Sequence, residues 1–181
     1  MKKTLQRLTV VCMAVVLTLG LAACGAKGGD SKKEGSKIDM SKYPSKIEEW
    51  SGQNVNDYFK EAGVFYDGNG GEIWLQDHAT YWSGMPVKEC AGWWTEDGSM
   101  AMIFVLSGSE ADTSEEQLNE WIEAIKADKK LPLEGEMTIA IDHLVGNLAF
   151  SYSTVLDEDA YNAMDAAYKN LVEALGAKEE F

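Results

Sequence analysis

Two Asp-His dipeptides, Asp77-His78 and Asp142-His143, contain both histidines of this 181-residue chain. Imidazole nitrogens and carboxylate oxygens are common ligands of divalent metals, so these four residues are candidate metal ligands. Neighbouring residues of a strand point to opposite faces, however, which would separate His143 from Asp142. We therefore interpret His143 as a core histidine beside Phe150. We predict no metal site and keep the two dipeptides as the alternative.

A second segment with metal-binding character is the run Asp67-Gly-Asn-Gly-Gly-Glu72. An EF-hand calcium loop has glycine at its sixth position and glutamate at its twelfth. Counted from Asp67, those positions hold Glu72 and His78 instead. The run therefore predicts a turn.

Motifs of nucleophilic and phosphate chemistry are missing from the chain. It has no Gly-x-Ser-x-Gly elbow, no His-Glu-x-x-His pair and no glycine-rich phosphate loop. With 30 acidic residues available, any chosen pair of carboxylates carries no signal. We therefore predict that the protein is not an enzyme.

Tryptophan is the most informative residue type in the remainder of the chain, which contains six of them. Trp93 and Trp121 fit core-facing positions. Trp50, Trp74, Trp82 and Trp94 are harder to place. Trp94 has the small residue Gly92 nearby, and Tyr81 and Trp82 precede the turn-like run at 83–86. Exposed aromatic side chains serve in recognition. We take Trp82, Trp94 and Tyr81 as a candidate binding surface, with simple core filling as the alternative.

The first 24 residues read as an export signal. Lys2, Lys3 and Arg7 are followed by an uncharged apolar run at 8–23, which is short for a membrane span of about 20 residues. The run ends in Leu-Ala-Ala-Cys at 21–24, which resembles the lipobox of bacterial lipoproteins. The resemblance implies a covalent diacylglyceryl lipid at Cys24, with palmitate as a typical acyl chain, and cleavage before Cys24. We predict no cofactor besides this lipid.

The three cysteines give no disulfide within the mature chain. Cys12 leaves with the signal, Cys24 carries the lipid, and Cys90 is left alone. A catalytic thiol at Cys90 would need a histidine partner. We interpret Cys90 as a small buried apolar residue, so the domain must be held together by its core.

Charge excludes one class of partner. All 30 acidic residues and 13 of the 16 basic ones follow the signal, and all 13 are lysines, so the formal charge of that part is −17. Nucleic-acid binding needs a cationic footprint, and planar capture of phosphate favours arginine. We predict no nucleic-acid partner.

The pattern of apolar residues predicts a two-layer α+β fold. Helices are expected at about 47–62, 114–127 and 157–175, with possible caps at Asn54 and Thr113. Asp97-Gly98 predicts a two-residue turn that pairs Trp93 with Met102, in a hairpin that is covered on both faces or lines a groove. Gly146-Asn147 predicts a second hairpin over 137–155, and about three helices would pack on an antiparallel sheet.

These observations predict three regions: a lipoprotein signal peptide at 1–23, a flexible tether at 24–45, and one globular domain at 46–181. The expected protein lies at the cell membrane, held by its lipid and facing outside the cytoplasm. We predict a non-enzymatic module that binds a protein, a peptide or a small ligand. The alternative is an exported enzyme or a divalent-cation-binding protein that uses the Asp-His pairs.

Overall fold

The computed structural model describes residues 38–133 and 137–181. The predicted signal peptide, Cys24 and the first part of the predicted tether lie outside the described residues.

Four helices and seven strands make up the described chain, with short 3₁₀ turns at Met40–Lys42, Ile47–Glu49 and Ser109–Ala111. In chain order they are α1 (Gly52–Glu61), β1 (Gly71–Asp77), α2 (His78–Tyr81), β2 (Val87–Thr95), β3 (Met100–Leu106), α3 (Glu115–Asp128), β4 (Lys130–Pro132), β5 (Thr138–Ala140), β6 (His143–Val145), β7 (Leu148–Ser151) and α4 (Glu158–Leu175).

The strands form an antiparallel five-stranded sheet in the order β1-β2-β3-β7-β6 and a separate pair, β4-β5. The combination of helices with antiparallel sheets confirms the predicted α+β class.

Both faces of the large sheet carry buried side chains. The first core cluster lies under α1 and α4 and contains Tyr58, Phe59, Trp93, Phe150 and Tyr168, among others. The second cluster includes residues of α3, β4 and β5 and reaches the sheet at Cys90, Phe104 and Ala149. The central hairpin β2-β3 contributes to both clusters, so the prediction that it is covered on two sides is confirmed. An arrangement of only two layers would leave the side of the sheet opposite α1 and α4 exposed. In this structure the smaller second cluster covers part of that side.

The predicted register of the β2-β3 hairpin is wrong by one residue. Trp93 pairs with Ala101 instead of Met102, and Trp94 pairs with Met100. The loop has three residues, because Thr95 N–H donates to Ser99 O and Gly98 N–H donates to Thr95 O. A type I turn followed by a left-handed glycine gives this loop length, and Gly98 has φ of 91°. The shift by one residue exchanges the faces of all β3 side chains.

The second predicted hairpin is correct only near its turn. His143 pairs with Phe150 and Val145 with Leu148, as the Gly146-Asn147 turn predicts. Beyond that point β5 leaves β7, and Ile139 pairs with Leu131 of β4 instead of Thr154. This alternative pairing places fully buried Leu131 and partly buried Ile139 in the second cluster.

The predicted helices are present, with shifted caps. Ser51 caps α1, and Asn54 is its partner in a capping box instead of the cap itself. Ser114 and Gln117 form the box of α3, one residue after the predicted Thr113. No helix of the described ranges is both long and apolar enough to cross a membrane.

The packed domain begins before the predicted boundary at residue 46. Ile38, Met40 and Tyr43 pack against the first core cluster. The ring of Tyr43 stacks on Trp50 with centroids 5.3 Å apart. Residues 38–45 therefore belong to the domain, because their apolar side chains are used in its core.

Both edges of the large sheet have backbone groups engaged by neighbouring chain. At β6, Glu180 N–H donates to Leu144 O at 2.9 Å, and Glu179 bridges Val145. At β1, Asp67 Oδ1 accepts from Ile73 N–H at 3.2 Å. The engaged groups are not free to pair with a strand from another chain.

We expect Gly98→Ala to lower the free energy of unfolding by about 1 kcal/mol, because alanine is strained at positive φ. No atom lies within 4 Å of a Cβ built at this position, so the loss would come from the backbone alone. Gly98→Asn should be milder, since asparagine tolerates the left-handed region. Urea unfolding measures both variants. Equal stability of the alanine variant and the wild type would contradict the three-residue loop.

Candidate functional site

The corrected register brings two tryptophans and two methionines onto one face of the large sheet. Trp94 pairs with Met100, while Gly92 pairs with Met102 on one side and with Trp74 on the other. Trp74, Trp94, Met100 and Met102 are all half-buried. We call these four residues the tryptophan–methionine face.

Gly92 gives Trp74 its place on this face. A Cβ at residue 92 would lie 2.1 Å from Cζ2 and 2.4 Å from Cε2 of Trp74. The indole therefore lies directly against the backbone of β2, where any side chain would displace it. Trp74 and Met102 also pack against the second core cluster, so one edge of the face continues into the core.

Trp94 is oriented by a polar contact. Its indole Nε1–H donates to Glu72 Oε2 at 3.0 Å, in an exposed position. An indole held at one end by a hydrogen bond presents its apolar ring with little freedom to lose on binding. Trp94 is thus a preorganised aromatic group at the rim of the tryptophan–methionine face.

The other two predicted surface residues lie at α2. Trp82 is half-buried and meets Phe104 edge to face, with centroids 5.4 Å apart. Its Nε1–H is buried and has no hydrogen-bond partner among the described residues. Tyr81 is 52% exposed. Phe104 and Met102 are two residues apart on β3, so they lie on the same face of the sheet. Because Trp82 contacts Phe104 and Trp94 lies on the face of Met102, the two tryptophans are on the same side of the sheet.

Sequence reasoning missed Trp74, Met100 and Met102 as parts of this surface. The one-residue register error assigned both methionines to the face of Trp93. Gly98 was the signal that could have given the correct register, because glycine after a type I turn favours a three-residue loop. Trp74 became recognisable only through its packing on Gly92.

The first Asp-His pair has local structural roles. Asp77 caps α2, accepting from Thr80 N–H at 2.8 Å and from its hydroxyl at 3.2 Å. These hydrogen bonds, the backbone one foremost, lower the pKa of Asp77. His78 Nδ1 lies 2.8 Å from Val87 O. Both side chains are thereby held by the chain next to them.

The two residues of the second pair, Asp142 and His143, contact different groups. Asp142 Oδ2 accepts from Tyr152 N–H at 2.6 Å and from Ser153 N–H at 2.8 Å. His143 stacks on Tyr168 with centroids 4.2 Å apart, and its Nδ1 contacts Glu179 Oε1. Its pairing with Phe150 agrees with the predicted register.

No cluster of three or more His, Cys, Asp or Glu side chains suited to a metal occurs in ranges 38–133 and 137–181. The run at 67–72 forms a turn, as predicted, with positive φ at Gly68, Asn69 and Gly70. Asp67 is engaged by Lys60 Nζ at 2.8 Å and by the Ile73 amide.

Cys90 is fully buried in the second core cluster, and burial raises the pKa of its thiol. Its Sγ lies 3.9 Å from Ala91 O. These surroundings agree with the interpretation of Cys90 as an apolar packing residue.

Comparison with protein-family models, with curated proteins and with solved structures finds no match to this chain.

We expect Gly92→Ala to lower the free energy of unfolding by about 1–3 kcal/mol, because the new methyl group overlaps the Trp74 indole. A double-mutant cycle with Trp74→Leu provides the control, since a smaller side chain at 74 should remove most of the loss. Chemical denaturation measures all four proteins. Additive effects of the two substitutions would show that the indole does not occupy the space over Gly92.

Proposed function

We propose that the protein is a lipid-anchored, non-enzymatic binding module outside the cytoplasm, and that a protein or peptide partner docks on the tryptophan–methionine face. The lipobox at 21–24 supports the anchor. The partly exposed side chains of Trp74, Trp94, Met100 and Met102 support the binding surface.

The residue types of this face suit a polypeptide partner. Tryptophan is enriched among the residues that dominate protein interfaces. Methionine is flexible and polarisable, so it adapts to different apolar shapes. The single observation that carries the proposal is the juxtaposition of Trp94 with Met100, both incompletely buried on the same face of the sheet.

Binding is proposed in preference to catalysis because of what the Asp-His pairs do. Asp77 and Asp142 accept backbone hydrogen bonds, and His143 is stacked between Tyr152 and Tyr168. Groups held in this way support local structure.

The proposed anchor is physically sufficient. Each buried methylene of an acyl chain contributes about 0.8 kcal/mol, and two chains hold a protein stably where one is marginal. Residues 25–37 connect Cys24 to the domain, which begins by Ile38 at the latest. This arrangement would display the domain at the membrane surface.

We expect a photo-reactive aromatic residue at position 94 to form a discrete adduct with one partner in the native membrane. The matched control places the same residue at Asn162, which is exposed on α4. Since α4 packs on the opposite face of the sheet, this site should give no such adduct. Electrophoresis and mass spectrometry identify the products.

Specificity of that adduct is tested with Met100→Asp, which places a charge beside position 94. The adduct should be lost while the melting temperature stays near that of the parent protein. Equal adducts from positions 94 and 162, or an adduct that persists with aspartate at 100, would contradict docking on the tryptophan–methionine face.

We expect Cys24→Ser to release the protein from the membrane or to leave it as the unprocessed precursor. Serine has no thiol on which the thioether to the lipid could form. Membrane fractionation and the mass of the protein measure the outcome. Normal processing with unchanged membrane retention would contradict the lipid anchor without bearing on the proposed binding face.

A further inference from the structure

A cleft of about 530 Å³ opens on the side of the sheet away from the tryptophan–methionine face. It lies between the loop at 63–70, the β2-β3 loop and the first turns of α4. Its volume falls in the range of pockets that bind small molecules. Trp93 lines the cleft and also belongs to the first core cluster. The cleft therefore lies on the side of the sheet that α1 and α4 cover.

Tyr66 forms a fixed aromatic wall of this cleft. The ring is 42% exposed and meets the buried Trp93 ring at an angle of 66°, with centroids 5.1 Å apart. Trp93 Nε1–H donates to Tyr66 O at 3.2 Å. A Cβ at Gly71 would lie 2.4 Å from Cε2 of Tyr66, so glycine there is what allows the ring to pack against β1. The wall therefore exists before any ligand arrives.

The charged residues in the lining are all acidic: Glu96, Asp97 and Asp157. The carbon chain of Glu96 lies along Gly70, where a Cβ would be 3.3 Å from Cγ. Asp97 accepts from the Thr95 hydroxyl and from Ser99 N–H, and these bonds lower its pKa, the Thr95 bond foremost. Asp97 is therefore ionised at neutral pH.

The start of α4 does not make this cleft an anion site. Asp157 is its cap and accepts from Ala160 N–H at 2.8 Å, so a carboxylate of the chain already engages the helix donors. Glu158 and Asp159 follow in the first turn. An incoming anion would meet these three carboxylates, while a cation would be attracted by them.

We propose that this cleft binds an organic ammonium group, the shared chemistry of a free amine, a quaternary ammonium compound and a lysine side chain. An aromatic face beside carboxylates attracts such a cation through the ring quadrupole and through charge together. An organic ammonium group needs no shell of converging oxygen ligands. A metal ion does need one, and the hydrogen-bonded carboxylates of Asp97 and Asp157 do not provide it. The inference is independent of the proposed docking face.

The direct test titrates the full chain, in micelles of an uncharged maltoside detergent, with choline and separately with butylammonium. Heteronuclear NMR follows the indole N–H of Trp93 and the amides of residues 66, 96 and 97. We expect saturable shifts confined to the cleft. The uncharged isostere of choline, in which a tert-butyl group replaces the trimethylammonium group, should bind at least about ten-fold more weakly if charge contributes as expected.

Variants separate the ring from the charge. Tyr66→Leu should weaken choline binding about five-fold, while Tyr66→Phe, which keeps the aromatic face, should stay within about two-fold. Glu96→Gln should weaken binding, whereas Glu120→Gln on the exposed side of α3 should not. Binding should also weaken in salt, because the Debye length falls from about 10 Å at 0.1 M to about 3 Å at 1 M.

Two cation arms distinguish the sources of the ligand. Preference for choline would indicate a quaternary compound such as a lipid headgroup, and preference for butylammonium would indicate a primary amine or lysine. Equal binding of choline and its uncharged isostere, stronger binding of acetate, or no saturable shift with either cation would overturn the proposal. None of these three overturning results would affect the photo-crosslinking test on the opposite face.

Discussion

The three-residue loop between β2 and β3 decides which side of the sheet every residue of that hairpin faces. Gly98 in a left-handed conformation sets the register, and the register sends Trp93, Ala101 and Ile103 to the first cluster. Met102 and Phe104, which point to the opposite face of β3, contribute to the second cluster. Since β3 also pairs with β7, the same choice fixes the place of Phe150 and Ala149. Both cores and the tryptophan–methionine face depend on this one loop.

The core that this register assembles is unusually aromatic. Tyr43, Trp50, Tyr58, Phe59 and Phe65 form a chain of ring contacts with centroids 5.2–5.8 Å apart. Edge-to-face and offset contacts of this kind stabilise a fold by about 0.5–1.5 kcal/mol per pair beyond area burial. Cys90 is a free buried thiol in the described domain. Stability there comes from rings that interlock across the sheet and α1.

Sequence patterns predicted most elements because each depends on local chemistry. The apolar pattern at 157–175 predicted α4, and the structure has this helix at Glu158–Leu175, within one residue of the predicted start and at the predicted end. The Asp97-Gly98 turn was recognised, but its loop length was not, because two- and three-residue loops share the same dipeptide. This difference of one residue in loop length decided which face of the sheet carries Met100 and Met102.

Long-range pairing was the part that sequence could not supply. The departure of β5 to pair with β4 depends on how Ile139 and Leu131 share one apolar space, which no local signal encodes. Part of the candidate site was missed for the same reason. Trp94 was recognised by its type and neighbours, whereas Trp74 joins it only through the bare backbone at Gly92.

The segments that lie along β6 and β1 limit the ways in which another chain can attach. A partner that extended the sheet would first have to displace Glu180 from Leu144, or Asp67 from the Ile73 amide. Backbone pairing tolerates almost any sequence, so an open edge would invite indiscriminate contacts. With those groups occupied, a partner is recognised by side chains, where a single methyl group or charge is enough to distinguish one partner from another.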